Sequence, residues 1–301
     1  MLERRPARPA HEPFRHQGLL FEDERAADGR LAPAVTVFLT GRECPWRCVM
    51  CDLWRYTTET DTPPGAIAAQ LDLALREIEA RGEARPSLIK LYNAGSFFDP
   101  RAVPEDDYTD IARRLSGFDR VVVESHPALV GERVDRFLEA LARASGGREA
   151  APRLEVAMGL ETAHPLALER LHKRMTLEQF RTAAEALRRR DVSVRAFLLV
   201  HPPFVARGER DAWLARSVDA AFDAGASIVS LIPTRAGNGS VEALSAMGFI
   251  DAPCLADLEH ALALALPRAR GRVFADLWDL ERLSDCPECL GPRRGRLRRA
   301  N

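Results

Sequence analysis

Short apolar runs alternate with helical patterns along most of this 301-residue chain, and that alternation constrains the fold more than any other feature. The strand-like runs are "AVTVFLT" (34–40), "SLIKLY" (87–92), "RVVVE" (120–124), "LEVAMGLE" (154–161), "SVRAFLLV" (193–200), "SIVSLI" (227–232) and "RVFAD" (272–276). They are rich in Val, Ile, Leu and Phe, as strands covered on both faces are. Between them, Ile67, Leu71, Leu75 and Ile78 recur at helical spacing, as do Val134, Phe137, Leu138 and Leu141. Thr176 with Gln179 forms a capping box ahead of Phe180, Ala184 and Leu187, and Leu214, Val218 and Phe222 line a helix that stops at Gly225. The β-then-α order predicts an α/β fold with a parallel sheet of right-handed crossovers. Six or seven such units suit a closed or partial (β/α) barrel better than a doubly wound sheet.

Three segments follow from this pattern. Residues 1–33, Arg-, Pro- and Ala-rich, read as an N-terminal extension draped on the body; residues 34–283 are the barrel core; residues 284–301 are a Cys- and Arg-rich tail. A 46% hydrophobic content is ample for the core, and a net charge of −1 carries no global signature of a nucleic-acid binder. No apolar run approaches the roughly 20 residues that cross a bilayer, and the start of the sequence lacks the apolar segment of a signal peptide. A cytoplasmic, reducing location with no membrane partner is therefore expected. In such a compartment, clustered cysteines bind metal or do chemistry more often than they pair.

Polar residues within the strands carry more information than apolar ones. Lys90 and Tyr92 share a face, as do Glu124 with His126, Glu155 with Glu161, and Arg195 with His201. A sheet core tolerates such charge only when it is paired or used, the other reading being strand ends in water. Several strands ending in polar groups suggest a site at the C-terminal mouth of the barrel. Among 43 basic residues only Lys90 and Lys173 are lysine, which marks both, since arginine replaces an ordinary surface lysine at little cost.

The stretch "GRECPWRCVMCDLW" (41–54) then sets three thiols, Cys44, Cys48 and Cys51, in the first βα loop. Disulfides pair cysteines in even numbers, and a tetrahedral zinc site wants a fourth ligand that no His or Cys between Asp52 and Tyr92 supplies. Three thiolates on an iron–sulfur cubane leave one iron free to bind a small molecule. Inert thiols are the remaining alternative.

Cys44-x3-Cys48-x2-Cys51 after the first strand of a β/α barrel resembles the signature of the radical S-adenosylmethionine (SAM) enzymes. The resemblance runs over roughly residues 34–283. The wider wording, "LTGRECPWRCVMCDLWRYT", "KLYNAGSFFDP", "MGLET" and "LIPTRAGN", is similar to the archaeosine-synthase radical SAM subunit and its bacterial relatives, near the Elongator and methylthiotransferase types. Met50 stands where the family often has an aromatic residue before the third cysteine, and methionine still packs against an adenine face. The resemblance implies a [4Fe–4S] cluster that chelates the amino and carboxylate groups of SAM and, on reduction, yields a 5′-deoxyadenosyl radical for hydrogen abstraction. It implies an electron donor such as flavodoxin or ferredoxin.

The resemblance also suggests residue roles. Asn93 and the backbone around Gly95 and Ser96, in "NAGS", correspond to the segment that receives the SAM amino group, with Glu124 accepting from it. Glu161 corresponds to the ribose-binding position, and Arg174 to an arginine that pairs with the SAM carboxylate, with Lys173 as its solvated neighbour. Thr234, Arg235 and Asn238 in "IPTRAGNG" are candidates to touch adenine or substrate. "NAGS" and "GNGS" (237–240) are otherwise plain βα turns, for neither is a dinucleotide fingerprint.

Cys286-x2-Cys289 is half a zinc site, to which Cys254 or His260 could add ligands; an auxiliary cluster and free thiols are the alternatives. Five arginines between 293 and 299 form a basic patch that suits tRNA or simply solvent. The substrate implied by analogy is a modified tRNA base, with a free metabolite as the alternative. A reading of another class is a zinc-dependent RNA-binding module using both cysteine groups.

Overall fold

The computed structural model describes residues 5–93, 95–284 and 286–301. Its eight strands form one sheet in sequence order: β1 (Gly18–Arg25), β2 (Leu31–Leu39), β3 (Leu88–Asn93), β4 (Arg120–Glu124), β5 (Arg153–Glu161), β6 (Ser193–Val200), β7 (Ile228–Pro233) and β8 (Arg272–Ala275). Strands β2 to β8 pair in parallel, and β1 pairs antiparallel with β2. The helices are α1 (Ala66–Ala80), α2 (Tyr108–Leu115), α3 (Glu132–Ala144), α4 (Pro165–Arg170), α5 (Leu177–Arg188), α6 (Arg210–Asp223), α7 (Ser240–Ala246), α8 (Leu255–Ala265) and α9 (Pro287–Ala300). The result is a curled half-barrel whose helices cover the outside of the sheet. No described helix is long and apolar enough to cross a membrane.

Each parallel strand expected from sequence is present, within a few residues of its expected ends. Val35, Val37, Ile89, Leu91, Val121, Val123, Val156 and Met158 point outward into one apolar cluster with Ile67, Leu71, Ile111, Phe137, Phe180 and Val218 from the helices. This is where most apolar burial, worth about 25 cal/mol per Å2, accrues. The Thr176–Gln179 capping box opens α5 as expected.

Two segments differ from expectation. Residues 18–33 do not drape; they form the β1–β2 hairpin, and β2 starts at Leu31 rather than Ala34. The period-2 signal of β1 is carried by acids. Glu22 and Glu24 face the barrel interior and meet Lys90 at 2.6 and 2.7 Å, while Glu24 also holds Arg195 at 2.6 Å. Arg195 in turn binds Glu155 at 2.6 Å. An ionic layer thus lies across the interior, and each charge in it is matched, as burial demands. The tail beyond residue 286 is helical. Leu297 of α9 is buried, Asn301 bonds both backbone groups of Ala275 at 2.8 Å, and Arg293 and Arg296 pair with Glu259.

Candidate active site in the barrel mouth

The C-terminal ends of the strands open on a cavity of about 540 Å3. Its upper wall carries Cys44, Cys48, Cys51, Asn93, Gly95, Ser96, Glu124, Glu161 and Lys173. Its depth is lined by Tyr92, Phe197, Phe274, Lys90 and Arg195 above Glu22 and Glu24. The volume falls in the range of small-molecule sites, roughly 300–1,000 Å3.

The cysteine loop is held from three sides. Val49 N–H donates to Leu171 O at 3.0 Å, tying the loop to the segment after α4. The buried Asn238 amide donates to Val49 O at 3.0 Å and Cys51 O at 3.1 Å, while its oxygen accepts from Ser240 and Val241 N–H. Asn238, a candidate to touch adenine or substrate on sequence grounds, therefore grips the loop beside the third cysteine. Trp46 stacks on His126, ring centroids 3.7 Å apart and 11° from parallel. His126 Nδ1 accepts from Ala128 N–H, which leaves Nε2 to donate to Lys173 O at 3.0 Å. Burial, and then the Lys173 charge, push this imidazole down to about 4, so it stays neutral and fixed.

The glycine of "NAGS" has a packing reason. A Cβ on Gly95 would stand 2.7 Å from Arg42 O and 2.6 Å from the Ala102 side chain, so only glycine lets the cysteine loop lie this close. Asn93 is buried, lines the cavity, and has no partner among the described residues for either side-chain amide atom. A buried donor and acceptor left unpaired beside a cavity call for a partner, and a bound ligand is one that could supply it. Ser96 accepts from His126 N–H rather than facing solvent. Glu124 accepts from Asn93 N–H at 3.1 Å, and burial raises its carboxyl to about 8.

Glu161 ends β5 at a register shift, with a left-handed φ of 65° that turns its carboxylate into the cavity. Lys173 meets it at 2.7 Å. Gly159 makes room for the pair, since a Cβ there would lie 2.1 Å from Glu161 Oε1 and 2.5 Å from Lys173 Nζ. Burial alone would depress Lys173, but Glu161 and then Cys48 outweigh it and hold the ammonium above its ordinary range. Arg174 lies elsewhere. It is exposed and lines a second hollow beside the cysteine loop, with Arg42, Cys44, Arg101 and His172. The residue taken from sequence as a solvated neighbour is thus the one inside, and the arginine is outside. The two lysines of the chain are 4% and 9% exposed, each paired with glutamate in one cavity, which is the signal their scarcity carried.

Burial pushes Cys44 up to about 11 and raises Cys48 and Cys51 as well. Such thiols become thiolates only against a cationic centre. Among the described residues no group of three or more His, Cys, Asp or Glu closes on a single-ion site. Three thiols on one cavity wall are the ligand set that an iron–sulfur cubane with one open iron takes. In the tail, the described residues complete no zinc site. Cys286 and Cys289 are adjacent, but His260 is engaged with Asp211 at 2.9 Å and no third described ligand joins them.

The half-barrel, with three cysteines in its first βα loop, shares its fold with proteins of known structure. It overlays the structure of Elp3 from the archaeon Methanocaldococcus infernus with a TM-score of 0.54 at 15% identity, over 77% of this chain and 57% of that one. It overlays methylornithine synthase with a TM-score of 0.51 at 14% identity, over 85% and 68%. In sequence it is 27% identical over 204 residues to archaeosine synthase subunit beta of Methanosarcina acetivorans, matching 64% of this chain and 55% of that protein. An uncharacterised protein of Methanocaldococcus jannaschii is 22% identical over 253 residues, 80% of this chain and 65% of its own length. The chain thus spans between half and two thirds of these relatives. No family model matches it.

Proposed function

We propose that the chain is a radical SAM enzyme acting on a base within RNA. The observation that carries the reading is one cavity wall shared by three thiols, the Asn93 amide with no partner among the described residues, and the Glu161–Lys173 pair. Cys44, Cys48 and Cys51 would hold a [4Fe–4S] cluster. With SAM bound, such a cluster would supply radical chemistry, a 5′-deoxyadenosyl radical that takes hydrogen from substrate.

The chain's own residues bind and orient. Lys173 offers an ammonium to a carboxylate and Glu161 an acceptor to hydroxyls, both fixed before binding by their mutual ion pair. Asn93 supplies the donor and acceptor it now holds unused. Glu124, neutral below about pH 8, offers either an acceptor or a proton at its carboxyl. The Trp46–His126 stack and the Asn238 clamp keep the cysteine loop in one conformation. Tyr92, Phe197 and Phe274 set aromatic surface in the deeper cavity beside the paired charges of Lys90 and Arg195.

The RNA reading draws support from the lip of the cavity. Trp278 and Tyr56 stand there exposed, with Arg47 and Arg235 beside them. Exposed aromatics with arginines suit a splayed base and its phosphates. The kinship with archaeosine synthase subunit beta points the same way.

The test is anaerobic incubation of reconstituted enzyme with SAM and reductant, measuring 5′-deoxyadenosine. Total tRNA is expected to stimulate its formation and the small-molecule fraction of the same cells is not. The reverse pattern would make a free metabolite the substrate.

A further inference from the structure

The two tail cysteines take no part in the cavity, and the function proposed above makes no use of them. Cys286 caps the first turn of α9, its Sγ accepting from Cys289 N–H at 3.3 Å. The two sulfurs lie 2.7 Å apart, in direct contact. Pro287 at the first helical position fixes the turn and removes an N–H that would otherwise seek a partner. The helix runs for 14 residues, with Pro292 inside it, and its far end is anchored to the barrel through Leu297 and Asn301. Both sulfurs are reachable from solvent, Cys286 partly and Cys289 fully.

Structural thiols are buried singly among apolar side chains, whereas these two are paired, exposed and set in the field of a helix N-terminus. Their environment also divides them. The hydrogen bond from the Cys289 thiol, and then the one from its backbone N–H, hold Cys286 below its ordinary range, and the same sharing raises Cys289. Use by a metal would need further ligands, and none of the described side chains supplies them.

We propose that Cys286 and Cys289 are a redox-active thiol pair that exchanges with low-molecular-weight disulfides, with Cys286 attacking and Cys289 resolving. The Cys286 thiolate attacks one sulfur of the disulfide RSSR; a Cys286–SR bond forms, the S–S bond breaks and one RS− leaves. Cys289 then loses its proton to solvent and attacks the Cys286 sulfur, and the second RS− leaves as the Cys286–Cys289 bond forms. Two electrons pass from the pair to RSSR, which ends as two thiols carrying the released protons. The site does not depend on the iron–sulfur reading and stands or falls separately from it.

The experiment incubates the cluster-loaded full chain with glutathione disulfide, quenches with acid, alkylates the remaining thiols and maps them by mass spectrometry. Exposed Cys254 serves as the internal reference thiol. In wild type, Cys286 and Cys289 are expected to disappear together as an intramolecular disulfide, several-fold faster than Cys254 is modified. Cys289→Ser should stop at glutathione bound to Cys286, formed at a rate like that of the wild-type reaction. Cys286→Ser should leave Cys289 reacting no faster than Cys254. The proposal is overturned if both tail thiols stay free while Cys254 is modified, or if Cys289 alone reacts as fast as Cys286 alone. It is equally overturned if the purified protein holds one zinc ion per chain that is released when these two thiols are alkylated.

Discussion

Replacing Asn238 tests whether the cysteine loop is shaped by the protein before any cofactor arrives. The side chain makes four hydrogen bonds, two from its amide to Val49 O and Cys51 O and two to its oxygen from Ser240 and Val241 N–H. That is its full capacity. Asn238→Ala removes all four. The lost oxygen is a helix-capping acceptor at α7, costing about 1 kcal/mol. The Val49 carbonyl, buried and left unpaired, adds about 1–3 kcal/mol. Cys51 O is nearer to solvent and adds less, so the expected loss is about 2–4 kcal/mol. Asn238→Asp separates the two halves. Its carboxylate keeps the capping acceptor at a helix N-terminus but sets negative charge against two carbonyl oxygens, so α7 should persist while the loop is released. The assay is urea denaturation of the apoprotein beside iron and sulfide content after reconstitution. Asn238→Ala should lose both stability and iron, and Asn238→Asp should lose mainly iron. Wild-type iron loading in Asn238→Asp would refute the clamp.

Three further outcomes are expected. Glu24→Gln should destabilise the fold by about 3–5 kcal/mol at neutral pH, because Lys90 and Arg195 lose a buried partner. Burial alone would raise Glu24, but Arg195 and then Lys90 hold it far below its usual value of 4.5; its contribution is therefore present above that value and lost as pH falls below it, an acid sensitivity that denaturation curves should show in wild type and not in Glu24→Gln. Lys173→Met should weaken SAM binding by about 1–3 kcal/mol in calorimetry while Arg174→Ala leaves it unchanged, and equal losses from both would return the arginine to the pocket. Changing Cys44, Cys48 or Cys51 singly to Ala should abolish iron loading, checked by metal analysis, since two thiolates do not hold a cubane.

The alternation of strands and helices was legible because Val, Ile and Leu report burial on both faces of a parallel sheet, and seven strands follow from it. Strand β1 was not, because its inward positions are Glu22 and Glu24, whose meaning depends on Lys90 and Arg195 far along the chain. Helices α2 and α8 lie in stretches whose apolar spacing was not singled out. The spacing of three cysteines in one loop marked them as candidate metal ligands, and the resemblance added the cluster reading proposed above. Which of Lys173 and Arg174 faces the cavity was not in the sequence, since the backbone there adopts a left-handed φ at His172 and at Arg174 that reverses the side-chain directions. The role of Asn238 was hidden likewise, because its partners Val49 and Cys51 offer backbone carbonyls, and these leave no mark on residue type.

The most direct test of the central claim is electron paramagnetic resonance of the anaerobically reconstituted and reduced protein, recorded with and without SAM. A low-temperature iron–sulfur signal that changes when SAM is added, and that is absent from Cys48→Ala, is the expected result. An iron–sulfur signal indifferent to saturating SAM, or a protein that takes up zinc and no iron at these three cysteines, would contradict it.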